Sequence, residues 1–356
     1  ARDEWAAVVG REASAFLAAP HRHSTGTDHA GVLTEDDVTG FRAGYEDAVV
    51  GDFRGYTVAK AGAWTQGPAL LAALRLLEPL PDEVLDVATE DGAHTVAETL
   101  KLVLADRDAY FGEGAPLDVL LSEDYAARRR GAIGPRASHE WRPGDVAGHA
   151  PFRPPLRTSS GSERAAGAGE PTVARSGETR GDTCHIDVVD RWGNIIAVTP
   201  SGGWLQSSPT IPSLGFCLGT RLQMTWLDDE SPSALRPGAR PRTTLTPTLV
   251  LQHGRPIMAL GTPGGDQQDQ WQLPMLLRML VGGLSAQEAI DAPTLHTTAL
   301  VDSFWPRTWE PGGLVVEDRL GDDVIAGLER RGHVVTRAGD WRLGRLSAVG
   351  IDRETG

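Results

Sequence analysis

The sequence predicts a layered α+β fold, a sheet-rich sandwich with helices on its outer faces. Three observations carry this. Residues 1–150 read mainly as helices, and from Thr183 onward the apolar residues alternate as in β-strands. Between them, residues 151–182 form a stretch rich in Pro, Gly, Ser and Arg with almost no large apolar residue after Leu156.

In chain order, "LTEDDVTGF" offers Thr34 as an N-cap with Asp37 three residues on, close to a capping box. "GDFRGYTVAKAG" alternates as a strand does. "QGPALLAALRLLEPL" starts after glycine and proline and repeats leucine at helical spacing, and "DGAHTVAETLKLVLADRDAYFGEG" is a second helix stopped by glycine. The polar stretch that follows buries too little to fold and reads as a flexible linker. Beyond it, "TCHIDVVD" and "NIIAVTPSG" flank "RWG" as a hairpin, and "RTTLTPTLVLQHGRPIMALGTPGG" forms another, turning at Gln252-His253-Gly254. Two helices, "DQQDQWQLPMLLRMLVGG" and "LSAQEAIDAP", come next. The strand "GGLVVEDRL", the helix "GDDVIAGLERRGH" and the strand "LSAVGID" complete the order, with no internal repeat.

Composition narrows the function classes. With 40% apolar and 23% charged residues over 356, the chain is globular in type and long enough for one large or two ordinary domains. A formal net charge of −14 argues against nucleic acid or anionic lipid as partner. No apolar run approaches the roughly 20 residues that span a bilayer, and "ARDEWAAVVGREASAF" lacks the organisation of a signal peptide. Only Cys184 and Cys217 are present, so neither a disulfide framework nor a zinc site is expected, and the setting implied is reducing and cytoplasmic. The histidines of "PHRHSTGTDH" lack ligand spacing; no metal and no cofactor is expected.

At the changeover from polar linker to strand stands Asp182-Thr183-Cys184-His185. A threonine opening a strand is ordinarily a good β-former and nothing more. Here a cleavable linker precedes it and a rigid strand follows. Exposed as an N-terminus, Thr183 would carry a hydroxyl nucleophile and its own α-amine, whose ordinary pKa near ~8 suits a general base. Such chemistry needs an oxyanion hole. "LGTPGGDQQDQW" offers Gly264 and Gly265, whose backbone N–H groups no side chain obstructs, ahead of a helix with Asp266 as N-cap and Asp269 at its third position.

By these motifs the chain resembles the gamma-glutamyltransferase superfamily of N-terminal-nucleophile hydrolases. Thr183-Cys184-His185 is similar to the family's Thr-Thr-His at its autocleavage site, and "VVDRWGNIIAVTPSGG" to its strand-turn-strand. "RPRTTLTPTLV" resembles Arg-Pro-x-Ser-Ser-x-Ser-Pro-Thr, and "GTPGG" resembles Gly-Ser-Pro-Gly-Gly. Upstream, "GDFRGYTV" and "KLVLADRDAYFG" match the later part of the family's large subunit, so the resemblance runs from about Gly31 onward. It implies a four-layer αββα sandwich whose helical part includes an upstream subunit. Residues 1–150 would then be the later part of the large subunit, residues 151–182 the linker ending at the autocleavage site, and residues 183–356 the small subunit. By the same resemblance Thr183 is nucleophile and base, and Ser201 takes the place of the threonine that hydrogen-bonds it. Thr243 and Thr244 replace the serines that hold the substrate carboxylate, and Gly264 and Gly265 are the oxyanion glycines. Cys184 is read as passive, because strand neighbours face opposite ways.

Three departures shape the expected substrate. The family has a substantial segment ahead of residue 1, carrying strands of the sandwich and an arginine for the substrate carboxylate. Its Asn-Gln-x-x-Asp region, which holds the γ-glutamyl ammonium, is replaced by "LGFCLGTRLQMTW", with Arg221 near the glutamine position and Met224 near the aspartate. The asparagine after the supporting threonine becomes Gly203, followed by Trp204. An ammonium has lost its acidic partner and gained a cation. With "GTPGGDQQDQW", this resembles the oxamate amidohydrolase branch. The expectation is an autoprocessing amidohydrolase for a small carboxylate-bearing amide, with Arg221, Thr243 and Thr244 on the carboxylate. Trp204, Trp226 or Trp271 either narrows the pocket or packs the core. Its partners are a small-molecule amide and the two subunits of one precursor, with further assembly of such heterodimers open. The rival readings are a γ-glutamyl hydrolase or transferase, an acylase, and a silent binding subunit.

Overall fold

The computed structural model describes residues 1–22, 26–158, 183–203, 208 and 210–352; residues 159–182 of the linker and Trp204 lie outside the described residues. The described residues group into two units, one of residues 1–47 and 202–220, the other of residues 48–158, 183–201 and 221–352.

In the first unit, helix Arg2–Leu17 buries Ala6, Val9, Gly10 and Ala13, the i, i+3, i+4, i+7 stripe of an amphipathic helix. Gly10 lets helix Glu35–Gly40 approach: a Cβ there would lie 3.0 Å from the Glu35 carbonyl oxygen. That second helix opens with the expected capping box, Thr34 Oγ1 accepting from the Asp37 N–H at 3.2 Å and Asp37 accepting from the Thr34 N–H at 2.7 Å.

The second unit is built on a five-stranded antiparallel sheet. Its order is Ser347–Gly350, Arg255–Gly261, Thr248–Gln252, Tyr56–Lys60, Val49–Phe53. The stretch expected as one strand at residues 51–62 falls in a hairpin, Val49–Phe53 with Tyr56–Lys60, reversed at Arg54 (φ +50°) and Gly55 (φ +82°). Helices Pro68–Leu77 and Gln268–Leu280 cover one face and meet helix Glu90–Tyr110, pooling Leu70, Leu74, Leu77, Leu100, Leu104 and Leu276 into the main core. The opposite face of the sheet receives the hairpin Ile186–Val189/Ile195–Val198. Its turn is tied by Asp190, whose carboxylate accepts from the Trp192 and Asn194 N–H groups at 2.9 Å each. A third sheet joins Leu295–Thr297, Gly313–Val316 and Val334–Arg337, the last two parallel and linked through helix Asp322–Arg330. No helix among the described residues is long and apolar enough to cross a membrane.

Candidate active site

The residues from Thr183 to Val189 alternate strictly. Thr183, His185, Asp187 and Val189 are half-buried on the side facing the large sheet, and Cys184, Ile186 and Val188 are exposed on the other. The ladder continues one step beyond the strand, Cys184 N–H donating to the Pro200 carbonyl at 3.2 Å. That pairing brings Thr183 beside Ser201, and Thr183 Oγ1 donates to Ser201 Oγ at 3.0 Å. Beneath them the His185 ring is held at both nitrogens, Nδ1 by Thr199 Oγ1 at 2.7 Å and Nε2 by Asp187 Oδ1 at 2.8 Å. His185 and Cys184 therefore lie on opposite faces, and the two do not form a Cys–His pair. The ring fits only because residue 261 is glycine: a Cβ there would sit 2.2 Å from His185 Cε1.

The strand ending at that glycine leads straight into the second candidate element. After Thr262 and Pro263 the backbone turns through Gly264 (φ +132°) and Gly265 (φ +57°), passes one 3-10 turn, Gly265–Gln267, and enters helix Gln268–Leu280. Both φ values lie where side chains are strained. At Gly264 a Cβ would also meet the Trp271 ring at 2.6 Å. Trp271 is fully buried and donates Nε1–H to His296 Nδ1 at 3.3 Å. His296 must accept there, and burial pushes its pKa down to about 3. Of the two roles open to Trp271, the structure shows core packing, beneath the glycine turn.

Asp266 departs from expectation. Gln267 occupies the N-cap of helix Gln268–Leu280 and makes no side-chain cap bond. The Asp266 carboxylate instead accepts from Arg107 Nη1, from the Ser303 N–H at 2.9 Å and from Ser303 Oγ at 2.6 Å. A buried guanidinium offers a carboxylate more than an orphan helix N–H does. Burial alone would raise the Asp266 pKa; Arg107 foremost, then Arg242 and Ser303, hold it below the usual range instead. Asp269 is likewise drawn off, to Lys60 Nζ at 3.1 Å and Thr246 Oγ1 at 2.7 Å. Arg107 also donates to Gln66 Oε1 at 2.9 Å, and Gln66 Nε2 donates to the Gly265 carbonyl at 3.2 Å. The glycine turn is thus anchored at Gly265 and Asp266 by one network of buried polar groups.

Thr243 and Thr244 are both buried. The Thr243 N–H donates to the Trp64 carbonyl at 2.8 Å, which sets the pair beside residues 64–66 and so next to Gln66. Arg221 lies in the 3-10 turn Arg221–Met224, its Nη1 bonded to Met224 Sδ at 3.4 Å. The structure thus joins Thr183 to Ser201 directly, to the glycine turn through His185 and Gly261, and the turn to the threonine pair through Gln66. Sequence reasoning missed Gln66, Arg107, Arg242 and Ser303. Of these, only Arg242 left a signal, its place immediately before the threonine pair.

The family model described as Gamma-glutamyltranspeptidase matches residues 18–355. The chain belongs to the gamma-glutamyltranspeptidase family. It is 29% identical to the glutathione hydrolase-like YwrD proenzyme of Bacillus subtilis over 90% of this chain and 55% of that protein. To the acylase ACY 1 proenzyme of a Pseudomonas species it is 25% identical, over 93% of this chain and 51% of that one. It spans about half the length of the curated relatives it matches. Among solved structures, LmbA2991HD superposes with a TM-score of 0.90 and 46% identity, covering all of this chain and 60% of that one. The cephalosporin acylase of Bacillus halodurans shares the fold, with a TM-score of 0.76 and 24% identity over all of this chain and 56% of that one. The mixed α/β architecture is that of this family.

Proposed function

We propose that this chain carries the catalytic centre of an autoprocessing amidohydrolase with Thr183 as nucleophile, acting on a small carboxylate-bearing, oxamate-like amide. The hydrogen bond from Thr183 to Ser201 carries the reading, because it fixes a hydroxyl three residues ahead of strand Ile186–Val189. Cleavage between Asp182 and Thr183 frees the α-amine, which takes the hydroxyl proton as Oγ1 attacks the substrate carbonyl. The Gly264 and Gly265 N–H groups stabilise the oxyanion, aided by the positive end of the following helix. The substrate C–N bond breaks, ammonia leaves with the proton passed on from the α-amine, and water opens the acyl-enzyme ester to free the acid and the Thr183 hydroxyl. Thr243, Thr244 and Arg221 hold the carboxylate. No cofactor takes part in these steps.

Residues 1–150 then belong to a large subunit, 151–182 to the linker and 183–356 to the small subunit, consistent with relatives named proenzymes. The outer face of the Thr183 hairpin supports the fourth layer of an αββα sandwich. Ile186, Val188, Ile196 and Val198 stand in paired register there and are 49%, 48%, 51% and 37% exposed, an apolar surface suited to a covering helical layer. Relatives named glutathione hydrolase and acylase favour a second reading, a γ-glutamyl or acyl substrate in the same centre. Ammonia release from oxamate, other small amides and γ-glutamyl compounds separates the two. Preference for a γ-glutamyl substrate overturns the oxamate-like assignment.

A further inference from the structure

The glycine turn is flanked by polar groups that the mechanism above leaves unused. Around Ser303 lie three buried guanidiniums, Arg107, Arg242 and Arg307, and two buried carboxylates, Asp108 and Asp266. Arg107 engages both carboxylates. Arg307 donates to the carbonyls of Ser303, Met224 and Thr225 at 2.8, 3.1 and 2.9 Å, with half-buried Asp302 within its electrostatic reach. Arg242 gives Nη2 to Ser303 Oγ at 3.0 Å, while its buried Nη1 has no hydrogen-bond partner among the described residues. Burial first, and then repulsion from Arg107, lower its pKa to about 10. A charge held so is one that a bound anion would stabilise.

Two more buried groups share this condition. Thr244 Oγ1 has no partner among the described residues, and neither Oε1 nor Nε2 of fully buried Gln268 has one. Both belong to the seam where helix Gln268–Leu280 runs along residues 244–248, since Thr246 Oγ1 donates to Asp269 Oδ1 at 2.7 Å. Gln272 Nε2 donates to the Thr246 carbonyl at 3.0 Å, and Thr248 Oγ1 bonds Gln272 Oε1. One helical turn back from Gln272 is Gln268, and two residues back from Thr246 is Thr244, ahead of strand Thr248–Gln252. Gln268 thus follows Gly264 by four residues, and Arg242 reaches the same turn through Ser303, whose Oγ donates to Asp266 at 2.6 Å. A leucine at 268 would spare the fold an unbonded amide.

We propose that Arg242, with Thr244 and Gln268, forms an anion-reading wall of the acyl site that selects substrates bearing a carboxylate next to the scissile amide. The inference rests on the hydrolase reading above, which already gives Thr244 to the carboxylate, and adds Arg242 and Gln268 as specificity residues. Oxamate and oxamide test it, being alike in size and differing in charge, together with calorimetric binding of oxalate to the full-length, self-cleaved protein. Arg242→Gln is expected to lower the oxamate-to-oxamide ratio of kcat/KM, and to weaken oxalate, by about 10- to 100-fold, the worth of a charged hydrogen bond. Gln268→Glu keeps the side chain's size but sets an acid against the anion, and is expected to weaken oxalate about 10-fold or more. Gln268→Met, which keeps the packing, should fall between it and the native protein. If Arg242→Gln does not fold, the two Gln268 variants decide. An unmoved ratio and unmoved oxalate affinity in the folded variants overturn the proposal, leaving these groups to buried water. The two readings fail separately. Oxalate binding that weakens as stated in a protein cleaving neither amide retains the wall and removes the hydrolase. Amide cleavage with no shift in selectivity does the reverse.

Discussion

Replacing Gly264 by alanine tests the proposed oxyanion turn, and the structure sets the size of the effect. At φ +132° a non-glycine residue costs on the order of 1–3 kcal/mol. Its Cβ would also stand 2.6 Å from the six-membered ring of Trp271. That ring cannot easily retreat, because it is fully buried and tethered to His296. The backbone must therefore yield, turning the 264 and 265 N–H groups away from the reacting carbonyl. Loss of one such donor typically slows turnover by about 100- to 1000-fold. The turn's anchors, Arg107 to Asp266 and Gln66 to the Gly265 carbonyl, do not involve Gly264, so the fold should survive with a lowered melting temperature. The assay is kcat at saturating amide, alongside thermal melting. Gly264→Ala combined with Trp271→Leu should regain melting temperature more than turnover, since it relieves the clash and not the φ strain. Near-normal kcat in a folded Gly264→Ala protein refutes the role given to this turn.

Two further outcomes follow from the geometry. Ser201→Ala removes the acceptor of the Thr183 hydroxyl and should slow self-cleavage and turnover about 5- to 10-fold, the worth of a neutral hydrogen bond; unchanged rates would remove Ser201 from the centre. Buried His94 and His333 are both neutral by geometry: His94 Nε2 faces the Gly134 carbonyl at 2.8 Å, so its Nδ1 accepts from His333 Nε2 at 2.9 Å, and Lys101 lies 3.4 Å from His333 Nδ1. Burial first and then Lys101 push the His333 pKa down to about 2, and burial lowers that of His94. Because both folded values lie below the unfolded value near ~6.5, their contribution is full above that pH and is lost progressively below it. Urea midpoints between pH 7 and 4 should fall more steeply for the native protein than for His333→Gln; parallel curves contradict this.

Alternation made the 186–198 hairpin legible from sequence, and with it the opposed faces of Cys184 and His185, because a two-residue period survives without knowledge of neighbours. Thr34 was legible as a cap for the same local reason. What stayed hidden was non-local. The pattern around Arg107 reads as helix, but nothing in it says that its guanidinium meets Asp266, 159 positions away. Asp266 looked like a cap because local preference is all that a sequence displays, and a buried cation overrode it. Strands Leu295–Thr297 and Val334–Arg337 are too short to show a period and exist through pairing with Gly313–Val316. The glycine pair was visible as a motif, whereas its lock against Trp271 required the fold.

The central claim, that Thr183 is the nucleophile, is tested most directly by the intact mass of the purified protein and of Thr183→Ala. The native chain should separate under denaturing conditions into two pieces, the smaller beginning with Thr183. Thr183→Ala should remain a single chain, because the hydroxyl that attacks the Asp182 carbonyl is gone. Cleavage of Thr183→Ala at the same bond and rate, or a native protein that stays whole while hydrolysing amides, would contradict the account.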